Sequence, residues 1–202
     1  MILAFNLTLA YFLGSIPTGL LVAFAAKGVD IRRHGSKNIG ATNVFRVAGK
    51  GWGILVLILD ALKGYLAVIS ARFIHPNPAA FPVPIPLALG IAAILGHSFS
   101  VWLSFKGGKG VATSLGVFLA IIPATTLLTL LLWSLIFAAG RIISLASIIA
   151  AAGFPFMIYF TAHTHPYYQW LLPIACILAI FIGFTHRKNI GRLIRGEEKK
   201  LF

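Results

Sequence analysis

Five stretches of this chain, residues 2–26, 52–74, 87–103, 142–160 and 168–185, are apolar for long enough to cross a lipid bilayer. A hydrocarbon core of ~30 Å needs about 20 helical residues at 1.5 Å each. Such runs, rather than scattered core positions, account for a composition that is 59% hydrophobic and only 10% charged. A soluble domain would carry about a quarter of its residues charged. The expectation is an all-α integral membrane protein.

A sixth apolar stretch, 111–139, decides the topology. It is interrupted by Pro123 near its middle. As one helix it would span about 43 Å, too long for one comfortable crossing and barely enough for two thin ones. The charges choose between these. Lys27, Arg32, Arg33, Lys37, Arg46 and Lys50 separate the first two runs, which marks that loop as cytoplasmic. Residues 75–86 carry no Lys or Arg and are rich in proline, which suits the outside. Lys106 and Lys109 then return to the inner face. A break at Pro123 brings Arg141 and the basic tail (Arg187, Lys188, Arg192, Arg195, Lys199 and Lys200) back to that face. It leaves only Lys63 and Arg72, of 17 basic residues, elsewhere. The predicted architecture is therefore a seven-transmembrane helix bundle, N-terminus outside and C-terminus cytoplasmic. Short helices flank Pro123 at a turn, and residues 1–202 form one domain. The first run lacks a basic leader and is too long for a signal-peptide core, so it reads as a span.

The formal charge of +13 would point a soluble chain toward nucleic acid. Here basic inner loops account for much of it, and no nucleic-acid partner is expected. Cys176, the lone cysteine, falls in an apolar run and reads as a small buried residue. His75, His163 and His165 fall in outer loops without nearby Cys or acid, so no metal site is expected. Asp60 and Lys63, three apart on one face of the second run, form a self-neutralising pair at membrane depth. Such a pair is either a buried brace or part of a site. His97 lies toward the inner end of the third run, close in sequence to a glycine-rich loop.

Three inner-face segments have unusual composition: "HGSKNIGATNVFR" at 34–46, "FKGGKGVATS" at 105–114 and "HRKNIGRLIRGEE" at 186–198. "KNIG" occurs in the first and third, and "GAT" in the first echoes "GVAT" in the second. Each combines Gly, Lys or Arg, and Asn, His or a hydroxyl. In 105–114, glycines allow backbone N–H groups to approach a ligand closely. A helix starting at Val111 would present its first amides and positive dipole end to an anion. Lys106 and Lys109 add full charges. The pattern is that of a phosphate cradle, though no nucleotide P-loop consensus is present. In the first segment, Ser36, Asn38, Thr42 and Asn43 offer hydrogen bonds and Arg46 a fork for phosphate. In the third, His186 and Asn189 share a face if the segment is helical. Arg192, Arg195, Lys199 and Lys200 read as contacts to lipid headgroups, with Glu197 and Glu198 available to pair with them.

Together the three segments resemble the bacterial acyl-phosphate:glycerol-3-phosphate acyltransferase family (PlsY). Gly35–Arg46 matches its G-S-x-N-x-G-A-T-N-V-x-R segment, Gly107–Thr113 its G-G-K-G-V-A-T segment, and His186–Glu198 its tail motif, in the same order. The position after Ser36, commonly glycine in that family, is Lys37 here. The resemblance implies a multi-pass enzyme of the bacterial cytoplasmic membrane, with its active site at the cytoplasmic face. It implies transfer of a fatty acyl group from acyl phosphate to the 1-hydroxyl of glycerol 3-phosphate, giving lysophosphatidate and phosphate, without a cofactor. None of the six histidines is followed five positions later by Asp, the spacing of another acyltransferase design.

On that reading Arg46, Lys106 and Lys109, with the amides of Gly107, Gly108 and Gly110, bind the two substrate phosphates. Ser36, Asn38, His186 and Asn189 orient the glycerol hydroxyl and the acyl carbonyl. Thr42, Asn43, His97 and Thr113 are secondary candidates. The proton has two candidate acceptors, His186 and a substrate phosphate, and the phosphate is favoured because the donor is already an activated anhydride. The rival reading, an anion transporter, calls for polar positions through the bundle to the outer face. The nearly uncharged outer loops do not supply them.

Overall fold

The computed structural model describes residues 2–73 and 84–202. The expected outer-loop residue His75 and the end of the second run, Ile74, lie outside the described residues. The regular structure of the described residues is all helical, with ten α-helices and no strand among them. The helices are α1 Ile2–Ser15, α2 Thr18–Lys27, α3 Ala41–Val47, α4 Lys50–Ile69, α5 Ile85–Ser98, α6 Val111–Ile121, α7 Pro123–Gly140, α8 Ile143–Thr161, α9 Tyr168–Thr185 and α10 Arg187–Ile194. Among the described residues six segments are long and apolar enough to span a membrane, and α6 is a shorter apolar helix. The chain divides into two compact units, Met1–Ile121 and Ile122–Phe202.

The expected break in the sixth stretch is present, at Ile122, with Pro123 as the first residue of α7 rather than inside a turn. Pro suits that place, where an N–H would have no helical partner anyway. The two flanking helices differ from expectation in length: α6 has 11 residues, but α7 has 18 and is span-length.

The first apolar run is not one helix. It is interrupted at Ile16 and Pro17, between α1 and α2. Pro17 has no N–H to continue the ladder and its ring clashes with the preceding turn. Pro155 and Pro173 sit inside α8 and α9 without ending either, so proline alone does not decide the outcome. At Pro17 the loosened backbone has partners. The Ile16 carbonyl accepts hydrogen bonds from the Thr18 amide at 2.9 Å and from Lys63 Nζ at 3.0 Å.

In the first unit, α1 packs on α5 and α4 on α6 with backbones close together. A Cβ on Gly14 would stand 2.1 Å from the Ala93 carbonyl oxygen, and one on Gly116 would stand 1.8 Å from that of Ala61. Small residues let membrane helices gain dispersion contact where no hydrophobic effect drives them together. Ala10, Ala67, Ala71, Ile85, Leu89 and Ala93 form one buried cluster. A second cluster, Ala23, Ile31, Ile39, Val44, Ala48, Val56 and Leu103, lies under the loops at the other end of α2 and α4.

In the second unit α8 packs between α7 and α9. Thr125 and Thr161 share a hydrogen bond of 2.8 Å, and Trp133 Nε1 donates to Ser147 Oγ at 3.1 Å. Hydroxyl and indole groups find such partners because lipid offers none. Cys176, expected to be buried, is exposed on α9 beside the exposed Ile177 and Ile180. An apolar thiol on a lipid-facing surface has no reason to be covered.

Candidate active site

The loop leading into α3 is built around one side chain. Asn43, 1% exposed, accepts the Ser36 amide at 2.9 Å through Oδ1. Its Nδ2 donates to the carbonyls of Ile31, His34 and Asn38 at 3.2, 3.0 and 2.8 Å. Asn43 was read as a ligand donor, but its carboxamide is committed to the loop. Asn38 Oδ1 accepts the Gly40 amide at 2.8 Å, an Asx turn that leads into α3. The loop that results holds Ser36 exposed, Asn38 and Thr42 half-buried, and Arg46 exposed on α3.

Two residues enter this loop in the left-handed region, Gly35 at φ +57° and Lys37 at φ +59°. A Cβ on Gly35 would stand 2.2 Å from Asn43 Oδ1, so glycine is required there for space as well as angle. Lys37 accepts the angle with a side chain present. Upstream, Asp30 caps a short 3-10 turn, accepting the Arg32 amide at 3.0 Å and its guanidinium at 2.8 Å. The Arg32 side-chain hydrogen bond, and then its backbone one, draw the Asp30 carboxyl down to about 2.

The glycine loop stands on the end of α5. The Gly107 amide donates to the Ser98 carbonyl at 3.0 Å and the Gly108 amide to that of His97 at 2.9 Å. Those two amides were expected to face a ligand, and they are spent on the chain itself. Both glycines serve close approach: a Cβ would meet His97 O at 2.0 Å from Gly107, and His97 Nε2 at 2.1 Å from Gly108. Gly110, buried at φ +82°, turns the chain into α6, and its carbonyl accepts the Ser114 amide at 2.8 Å. The α6 start keeps the first-turn amides that no helical carbonyl reaches. Lys106 is exposed and Lys109 half-buried beside it. The buried hydroxyls of Thr113 and Ser114 make no hydrogen bond.

The α3 loop and the glycine loop share a foundation. Leu103, just ahead of the glycines, is buried in the same cluster as Ile39 and Val44. The structure thus seats two of the three singled-out segments together in the first unit.

The third segment belongs to the second unit. His186 ends α9 and opens α10; it is 3% exposed, with Nδ1 2.8 Å from the Ile182 carbonyl. A carbonyl only accepts, so Nδ1 carries the proton. Asn189 stands in the first turn of α10, its amide bonded to the His186 carbonyl at 2.8 Å. Asn189 Nδ2 donates to Glu198 Oε1 at 2.6 Å, and Ser144 Oγ donates to the same oxygen at 2.6 Å. Arg192 Nε donates to Glu198 Oε2 at 2.5 Å. Burial pushes the Glu198 carboxyl up, but the bonds from Ser144, Arg192 and Asn189 outweigh it and hold it below the ordinary value. Arg195 pairs with Glu197 at 2.8 Å. Arg192 and Arg195, expected against headgroups, are therefore engaged by the two acids.

Two sets of long-range contacts leave no trace in the sequence pattern. Ser144 anchors the tail from 54 residues away, a contact no local pattern signals. The Asp60–Lys63 pair, 2.8 Å apart, has Thr18 and His97 as further neighbours. Among the described residues, no group of three or more His, Cys, Asp or Glu gathers as metal ligands do.

A family model described as glycerol-3-phosphate acyltransferase matches residues 4–196. A glycerol-3-phosphate acyltransferase of Fusobacterium nucleatum is 46% identical over 195 residues, covering 96% of this chain and 95% of the relative. One from Trichlorobacter lovleyi is 49% identical over 192 residues, with 95% and 93% covered. Among solved structures, PlsY (YgiH), an integral membrane glycerol 3-phosphate acyltransferase, is similar in its glycerol 3-phosphate form. The TM-score is 0.85 at 39% identity, over 98% of this chain and 94% of that one. Its lysophosphatidic acid form is similar at a TM-score of 0.83.

Proposed function

The chain belongs to the glycerol-3-phosphate acyltransferase family, and from that premise we propose that it acylates the 1-hydroxyl of glycerol 3-phosphate using an acyl phosphate. The products are 1-acylglycerol 3-phosphate and phosphate, the first acylation of phospholipid synthesis. The observation that carries this is the joint seating of the α3 loop and the glycine loop on one apolar cluster. Arg46 lies on the helix that follows one of these loops, and Lys106, Lys109 and the start of α6 belong to the other, a set suited to two phosphate-bearing substrates. The solved relative with a glycerol 3-phosphate form and a lysophosphatidic acid form supports the acceptor and the product.

In the reaction the glycerol oxygen attacks the acyl carbonyl carbon, the bond from that carbon to the phosphate oxygen breaks, and phosphate leaves. The chain's part is to bring two anions together and stabilise charge on transfer. Arg46, Lys106, Lys109 and the loop with Gly107, Gly108 and Gly110 bind the phosphates. Ser36, Asn38, His186 and Asn189 orient the hydroxyl and the carbonyl. The hydroxyl proton passes to a substrate phosphate, whose second pKa is near 6. The distribution of Lys and Arg supports a seven-span layout with an outside N-terminus, and family membership supports an active site at the cytoplasmic face of the bacterial inner membrane.

Purified protein in lipid, given palmitoyl phosphate with and without glycerol 3-phosphate, tests this. Phosphate release is expected to need glycerol 3-phosphate and to match acylated product one to one. Folded protein that binds either substrate without turnover overturns it. In His186→Ala protein the residual activity should keep its pH profile; disappearance of an enzyme pKa would assign the proton to the imidazole instead.

A further inference from the structure

Three charged or titratable side chains are buried in the middle of the first unit: Asp60 at 1% exposure, Lys63 at 5% and His97 at 5%. Asp60 Oδ1 accepts from Thr18 Oγ1 at 2.5 Å and lies 2.8 Å from Lys63 Nζ. It is also 3.5 Å from His97 Nδ1, within ion-pair reach though without hydrogen-bond alignment. Lys63 reaches on to the Ile16 carbonyl at the break between α1 and α2. Apolar packing of the same volume is commonly at least as stable as a buried ion pair. Stability alone is thus a poor reason for this cluster.

The opposite edge of His97 gives a better one. Gly108 lies so close to the imidazole that a Cβ would stand 2.1 Å from Nε2, and the Gly108 amide donates to the His97 carbonyl at 2.9 Å. The ring is held between a carboxylate at Nδ1 and the glycine loop at Nε2. A rotation of the imidazole moves one edge only by moving the other.

We propose that Asp60 and His97 form a positioning site for the phosphate-binding loop. The carboxylate fixes the imidazole, and the imidazole sets where Gly108 stands, and with it Lys106, Lys109 and the start of α6. Thr18 and Lys63 hold the carboxylate, and Lys63 balances its charge. This rests on reading residues 105–114 as the loop that binds substrate phosphate.

The test compares folded variants with wild type. His97→Leu, which cannot face the carboxylate, should raise KM for a phosphate-bearing substrate about tenfold, with kcat within about threefold and Tm little changed. His97→Asn, whose amide nitrogen stands where Nδ1 stood but which has no ring edge against Gly108, should not recover that loss, and full recovery would overturn the proposal. The double variant Asp60→Asn/Lys63→Met removes both buried charges together and should show the same rise in KM. Inorganic phosphate binding, followed by thermal shift, repeats the comparison without turnover. If wild-type protein is inactive the acyltransferase reading falls, and this inference is still decided by phosphate affinity. Unchanged KM and phosphate affinity in His97→Leu, a loss confined to kcat, or a fall in Tm alone overturns it. Should the double variant fail to fold, the two His97 variants decide.

Discussion

Asn189 donates a 2.6 Å hydrogen bond to Glu198, so the last acid of the chain fixes the carboxamide of a residue singled out for the reaction. Ser144 and Arg192 hold the same carboxylate. A Glu held below its ordinary value of 4.5 stabilises the folded tail above that pH. The contribution is lost as pH falls through the lowered folded value. Hydrogen exchange of residues 196–202, followed from about pH 6 to about pH 3, should show the tail opening at the acid end of this range. Glu198→Gln should flatten the dependence. An unchanged profile in that variant would remove Glu198 as its source.

Asn43 saturates its carboxamide on four backbone groups. Asn43→Ala should cost about 2–3 kcal/mol, because it leaves buried carbonyls without donors. Asn43→Asp should be no better, since a carboxylate cannot donate to the carbonyls of Ile31, His34 and Asn38. Denaturation in detergent reads both, and a rescue by Asp would contradict the assigned bonds.

Gly108→Ala forces a methyl into the His97 ring. A displacement of about an ångström at a reacting centre costs about a hundredfold in rate, and a loss of that order in kcat/KM is expected. Gly51→Ala is the control, because a Cβ there meets nothing within 4 Å. Equal activity in the two variants would dissociate the glycine loop from catalysis.

Lys37 adopts φ +59°, an angle that strains any residue with a Cβ. Lys37→Gly should relieve about 1 kcal/mol of that strain and leave turnover close to wild type. A lowered Tm would mean that the lysine side chain contributes more than its backbone costs.

The apolar runs made the helices legible because a bilayer imposes length and composition on each span separately. Pro123 was legible for the same reason: the stretch around it is too long for one crossing. Pro17 was not, although it is the same residue in an equally apolar run. Its break is stabilised by Lys63 and by the Thr18–Asp60 bond, and both partners come from α4. The glycines at 107 and 108 were read correctly as a demand for close approach, but the neighbour was assigned to a ligand. Composition says that a backbone must come near something. It does not say whether that something is a phosphate or the end of α5. Asn43 illustrates the same gap, since its partners lie five to twelve residues away along a loop with no regular period.

A charge pair halfway along a span also has a place in time. Ribosomal synthesis delivers Thr18 before Asp60, which follows 42 residues later. A translocon passing α4 into lipid alone would face two ionised groups, at about 2.5–3.5 kcal/mol apiece. With the interrupted first run already made, those groups find a carbonyl and a hydroxyl on arrival. The kink at Pro17 is in this sense an assembly socket, loaded by α4 and closed by His97 when α5 emerges.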